Sequence, residues 1–126
     1  MQKLANVMVH KKGQLHYLKK ANNKLHSLGY IELRKLMDPK GVFSVEYPKF
    51  YLTANAYAWK GYIVSNQKEI INRARLHKKK ILLYVGDMDK FFIFNPQDII
   101  ENCAANRHGY LSMLNYDISL GSEFHT

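Results

Sequence analysis

The stretch SNQKEIINRARLHKKKILLYVGDMDKFFIFNPQDIIEN, residues 65–102, decides the fold. Asn66 followed three residues later by Glu69 is close to a capping box, with Asn in place of Ser or Thr, and predicts a helix beginning near Gln67. Its inward residues are Ile70, Ile71 and Ala74, and it runs into the basic cluster Arg73, Arg75, His77, Lys78, Lys79 and Lys80. Residues 81–85, Ile-Leu-Leu-Tyr-Val, show no polar alternation, as expected of a strand covered on both faces. Residues 86–90 read as the tip of an antiparallel hairpin leading into the apolar run 91–94. Asn95 then caps a short helix with Pro96 at its first position and Asp98 in its first turn, where a negative charge complements the helix dipole. A helix, two buried strands and a second helix belong at the centre of an α/β sheet.

Working outward, Leu15, Leu18, Ala21, Leu25 and Leu28 recur at three- and four-residue spacing and predict a helix over 11–28. Lys12, Lys19, Lys20 and Lys24 fall on its other side, and Gly29 is the expected left-handed stop. Residues 30–34 alternate as a strand with Ile31 and Leu33 inward. Asp38-Pro39-Lys40-Gly41 is a turn signal, and 42–47 and 50–58 read as a hairpin broken at Pro48. Residues 110–118 predict a further strand, and 121–126 a frayed tail.

The 126 residues fit one domain, with a core over about 11–118 and a tail over 119–126. Hydrophobic content of 47% excludes a disordered composition, so the surplus of nine positive charges decorates a folded body. One cysteine, Cys103, excludes an intramolecular disulfide and a cysteine-rich zinc site, and the six histidines lack ligand-like spacing. The longest apolar runs have four or five residues, so no membrane span and no secretory signal are expected, and the expected address is cytoplasmic, inside the cell. Clustered Lys and Arg on a folded domain point to nucleic acid, whose phosphates reward them through counterion release. The cations that carry this expectation are Lys11, Lys12, Lys19, Lys20 and Lys24 on the first helix and Arg73, Arg75, Lys78, Lys79 and Lys80 on the second. The plainer reading of each group is a solvated helix face or cations suited to a helix C-terminus. Tyr47, Tyr51, Tyr57, Trp59 and Tyr62 form an aromatic-rich segment that suits either base stacking or a strand core. Asp87 and Asp89 read as turn residues, Cys103 as structural, and Gln67 as a helix-start residue.

The order helix, strand, strand, strand, helix, strand, strand resembles the core of the PD-(D/E)XK nuclease superfamily, in particular archaeal Holliday junction resolvases and small viral nucleases. KKGQLHYLKKANNKLHSLGYIELR is similar to their opening helix and strand, and NQKEIINRA, KKILLYV and FFIFNPQDI to their later helix with its leading Gln and the paired strands after it. The resemblance implies a restriction-endonuclease-like α/β fold, a mixed central sheet flanked by helices, and a homodimer. It also implies a first-helix carboxylate, an Asp on the second strand and Glu-x-Lys on the third, which hold Mg²⁺ and orient the attacking water. This chain departs from that signature: His16 or Tyr17 stands at the first position, and no Asp or Glu precedes Tyr30. One alignment uses Asp38 as the strand-two acid, with Glu46 and Lys49 standing for Glu-x-Lys. The other uses Glu46 as the strand-two acid and makes 50–58 the third strand, where Thr53, Asn55 and Tyr57 include neither Glu nor Lys. The second gives the third strand its full length, leaves 59–62 as a connector, and implies a lost metal site. The expectation is therefore a nucleic-acid-binding protein, DNA in the first place, with a degenerate nuclease motif and no cofactor. The alternatives are an endonuclease that uses Mg²⁺ or Mn²⁺ with Glu46 (also the metal ligand), Lys49 and Asp38, and a protein-binding accessory or inhibitor factor.

Overall fold

In the computed structural model, which describes residues 2–30, 34–37, 43–65, 67–105 and 114–125, helix α1 spans Gln2–Ser27. It begins well before the expected Lys11. Residues 2–10 lack Pro and Gly, and an interior Gly13 costs a helix only about 1 kcal/mol, too little to set a boundary. Leu18, Ala21 and Leu25 are buried as the spacing requires, whereas Leu28 is exposed, because the helix has already ended. Gly29, at φ 97°, reverses the chain there, and its N–H and that of Tyr30 close on the carbonyls of His26 and Leu25.

Strands β1 (Arg34–Met37), β2 (Phe43–Glu46) and β3 (Phe50–Asn55) follow as an antiparallel meander. The described strand begins at Arg34, the last residue of the expected 30–34, while 31–33 and the 38–41 turn lie outside the described residues. The hairpin at Pro48 is present, closed by Tyr47 N–H donating to the Phe50 carbonyl at 2.9 Å. The third strand stops at Asn55, short of 58. In place of a plain connector, Trp59 and Tyr62 pair across a two-residue turn, and β4 (Tyr62–Ser65) leaves the main sheet.

Helix α2 (Lys68–Leu76) crosses back to β5 (Lys80–Val85), which pairs with β3 in parallel, Phe50 opposite Lys80 and Asn55 opposite Val85. Asn66 lies outside the described residues; Gln67 occupies the cap position without a side-chain cap bond. Then come β6 (Lys90–Phe94), α3 (Pro96–Asn102), β7 (Ala104–Ala105) and β8 (Leu114–Asp117), followed by a 3-10 turn over Ile118–Leu120. Asn95 caps α3 as the sequence predicts, its side chain accepting from Gln97 N–H at 3.1 Å. The expected frayed tail is instead strand β9 (Ser122–Glu123), paired with β6, while Phe124 packs among Tyr30, Phe50 and Phe91. Tertiary pairing holds a segment whose composition alone reads as loose.

The main sheet has the order β1-β2-β3-β5-β6-β9, and a second sheet has the order β4-β8-β7. Strand alternation divides the core. Phe50, Leu52, Ala54, Leu82, Tyr84 and Phe91 pack against Leu18, Ala21 and Leu25 of α1. Tyr51, Ile81, Leu83, Val85 and Phe94 pack on the other side with Ile70, Ile71 and Ala74 of α2, Ile99 of α3, and Ile63 and Tyr116 of the small sheet. The chain is thus a mixed α/β domain with helices on both faces of a mixed sheet.

Candidate nucleic-acid interface

Helix α2 ends in a Schellman arrangement: Lys79 N–H bonds the Ala74 carbonyl at 2.8 Å and Lys78 N–H that of Arg75 at 3.2 Å. The residue in the left-handed position is Lys78, at φ 54°, where glycine is the residue without a steric penalty. The turn delivers Lys80 directly to the first position of β5, its N–H 3.3 Å from the Lys49 carbonyl. Opposite stands the start of α3. Between them lies a cleft of about 300 Å³ lined by Ala74, Arg75, Lys78, Lys79, Lys80, Asn95, Pro96 and Gln97. Among the described residues four cations and no carboxylate line it, a charge pattern suited to an anion.

The cations are not equivalent. Lys79 is half-buried, donating to the Tyr47 carbonyl at 3.3 Å with its ammonium 5.3 Å from the Tyr51 ring centre, so it anchors the cleft floor. Arg75, Lys78 and Lys80 are exposed at the rim. The Tyr51 hydroxyl and His77 Nδ1 share a 2.6 Å hydrogen bond beneath stacked rings, which fixes the turn from below. Arg73 is half-buried on α2.

The first-helix cations sit on the other face of the sheet. Lys19 and Lys20 are exposed, whereas Lys24 is committed to Asp89 through a 3.3 Å ion pair and a 3.1 Å bond to its carbonyl. Asp89 also accepts a hydrogen bond from the Tyr84 hydroxyl, and these two donors hold its carboxyl below the ordinary 3.8. Lys11 and Lys12 belong to α1, but their side chains lie outside those described. The two basic groups are therefore separated by the thickness of the sheet.

Of the residues expected to carry catalysis, Asp38 lies outside the described residues. Glu46 ends β2 with its backbone paired to Tyr51 and Arg34, and Lys49 is exposed in the next turn, beside Lys80. His16 and Tyr17, at the place of the first-helix carboxylate, form an edge-on ring pair 5.2 Å apart on the α1 face. On the α2 face, Thr53 and Asn55 of the third strand meet Gln67. The Gln67 side-chain amide donates to Asn55 Oδ1 at 3.3 Å and its Oε1 accepts from the Tyr116 hydroxyl at 2.9 Å, while its backbone N–H reaches Ser65 Oγ at 3.1 Å. Gln67 is 1% exposed, and Thr53 Oγ1 and Asn55 Nδ2 find no hydrogen-bond partner among the described residues. Burial raises the Tyr116 phenol well above its ordinary 10.0, so it stays a neutral donor. The side chains described here are neutral amides and hydroxyls, with the amide oxygens already occupied, and they do not fit Mg²⁺, which calls for anionic oxygen ligands. Gln67 is thus a hub of a buried polar network rather than a simple helix-start residue. Its partners lie 12 and 49 positions away, beyond any local pattern.

No family model, no curated protein and no solved structure matches the chain.

Proposed function

We propose that this chain binds nucleic acid, DNA in the first place, through the cleft between the end of α2 and the start of α3, on a restriction-endonuclease-like scaffold without a hydrolytic centre. The element order supports that scaffold: a helix, a three-strand meander, a crossover helix, then a strand parallel to the third and a hairpin partner. Strand β4 is an insertion between the third strand and the crossover helix. The observation that carries the function is Lys78. A left-handed lysine costs roughly 1 kcal/mol or more over glycine, and its place beside Arg75 and Lys80 is what the cost secures. Strained backbone of this kind clusters at ligand clamps, and at a charged rim it supports the reading.

The test is fluorescence anisotropy on a labelled duplex across a salt series. With about four phosphates neutralised, log K against log salt should slope at about −4. Lys78→Ala with Lys80→Ala should weaken binding tens of fold near ~0.1 M salt and flatten the slope by about two. Lys19→Ala with Lys20→Ala, on the opposite face, should change binding by less than about twofold, within the scatter of long-range screened charge. Equal losses in the two pairs, or no binding at ~50 mM salt, would remove the reading. Plasmid nicking in Mg²⁺ or Mn²⁺ should stay at background.

A further inference from the structure

The aromatic-rich segment divides sharply. Tyr47 and Tyr51 are core residues at 2% and 1% exposure, whereas Tyr57 and Trp59 are 62% exposed and Tyr62 is 50% exposed. Trp59 and Tyr62 exchange both backbone hydrogen bonds, at 3.0 and 2.9 Å, across Lys60 and Gly61, which sit at φ 49° and 81°. Positive φ at both central residues makes a type I′ turn, and paired flanking residues share one side of the hairpin. Along β4, Ile63 and Ser65 are buried while Tyr62 and Val64 are exposed, so the aromatic side is turned away from the core. The hairpin is held firmly from behind: Ile118 N–H donates to the Gly61 carbonyl at 2.8 Å, Asp87 N–H to that of Ala56 at 2.8 Å, and Ala58 N–H to Asp87 Oδ2 at 3.4 Å.

A second left-handed lysine completes the pattern. Lys60 holds its ammonium over the Trp59 ring, 4.7 Å from its centre, so a cation sits on one face of an exposed indole. Among the described residues, the two carboxylates near the hairpin are engaged with backbone: Asp117, opposite Tyr62, accepts from Ser119 N–H at 2.8 Å and Asp87 from Ala58 N–H at 3.4 Å. An exposed indole and phenol with a cation over the indole match one chemistry well: a base that stacks on the aromatic side while its phosphate meets the ammonium. A second copy of the chain is the poorer occupant, since it brings its own surplus of nine positive charges.

Resting on the function proposed above, we infer that Trp59, Tyr62 and Lys60 form a stacking platform for unpaired bases, so that the preferred ligand contains a single-stranded segment. Platform and cleft lie toward opposite ends of β5: Lys80 at its start lines the cleft, and Asp87 just past its end is bonded to the hairpin segment, so they are separated by at least the strand's length, about 20 Å at 3.3 Å per residue. A single strand of several nucleotides is needed to place phosphates in the cleft and bases on the hairpin.

Trp59 is the only tryptophan, so its emission reports on this platform alone. The wild-type chain is titrated with oligothymidylate of about 16 nucleotides, the upper site size for such grooves, with a duplex of equal length and with polyphosphate. Oligothymidylate should quench Trp59 saturably, at the concentrations where anisotropy reports binding. Duplex should bind with much weaker quenching, and polyphosphate should bind without any. Trp59→Ala, followed by anisotropy of labelled oligonucleotides, should lose about 5- to 100-fold in single-strand affinity, the range of one base stack. Duplex affinity should stay within about twofold, and Trp59→Phe should recover most of the loss. Duplex and single strand bound equally well with Trp59 unquenched would overturn the platform and leave the cleft standing. Absence of binding to every nucleic acid would overturn both. A Trp59 shift that follows protein concentration assigns the surface to a second copy, and one seen with phosphatidylserine vesicles alone assigns it to a membrane. Either result overturns the inference.

Discussion

Helices α1 and α2 end in the same hydrogen-bonded arrangement, yet the left-handed position is Gly29 in one and Lys78 in the other. The layers they belong to differ in the same sense. On the α1 face the buried side chains of the cluster are apolar or tyrosine, with polar contacts confined to its margin, such as Lys24 with Asp89. The α2 face buries Thr53, Ser65 and Gln67, leaves Thr53 Oγ1 and Asn55 Nδ2 without a hydrogen-bond partner among the described residues, and carries left-handed lysines at 60 and 78. Departures from local consistency concentrate where a chain has been shaped by something other than stability. Among the described residues the α1 side has one such departure, Asp89 at φ 50° in the turn at its margin, whereas the α2 side combines two left-handed lysines with buried polar groups.

The largest expected effect treats the two faces as equals. Leu82 and Leu83 are adjacent on β5, both fully buried, and point to opposite layers. Leu82→Ala and Leu83→Ala should each cost about 2–5 kcal/mol in urea unfolding. A much smaller loss for one of them would mean that its helical layer packs loosely. Next, Tyr116→Phe strands the Gln67 acceptor and should cost about 1–3 kcal/mol. Because burial raises the Tyr116 phenol, its contribution is complete below pH 10.0 and is lost as pH climbs beyond that. The variant should therefore show a shallower alkaline decline in melting temperature, a change absent if the hydroxyl is not buried. The exchange at the helix ends comes third. Lys78→Gly should stabilise the fold by up to about 1 kcal/mol and Gly29→Lys should destabilise it by about 1–2 kcal/mol. Lys78→Gly should meanwhile lower the salt slope of DNA binding by about one. Gain of stability without loss of binding would sever the link between strain and function. The smallest effect belongs to the α1 margin. The Tyr84 and Lys24 contacts hold the Asp89 carboxyl low, so its contribution is present above the ordinary 3.8 and fades as pH falls through the lower folded value. Asp89→Asn should flatten only the acid limb of the stability profile, with little change at neutral pH, because an exposed carboxylate is well screened.

How far the sequence discloses these features depends on distance along the chain. The buried run of β5, the Asn95 cap and the Gly29 stop are each written within a few residues, and each was readable. Strand β4 is four residues long with two of them exposed, and its turn uses Lys-Gly in place of the usual Asn-Gly, so the positive-φ signal was weak. Strand β9 has two residues and exists only through its pairing with β6. The basic wall of the cleft was visible as a charge cluster, but its other wall, Asn95 to Gln97, arrives by tertiary packing. The aromatic segment could not be divided into core and surface without knowing that the chain turns at Lys60.

The parallel seam between β3 and β5 also sets a timetable. Every residue of β3 finds its β5 partner thirty positions away, from Phe50 with Lys80 to Asn55 with Val85. The flanking hairpins close over loops of a few residues and form in about 1–10 μs. Closing the seam costs about 1.6 kcal/mol more in chain entropy than closing a five-residue turn, a factor of roughly 15. Pulse-labelled hydrogen exchange during refolding should therefore protect the amides linking β5 to β6 before those linking β3 to β5. The cleft, whose rim is the junction of α2 with β5, comes into being only as that seam shuts.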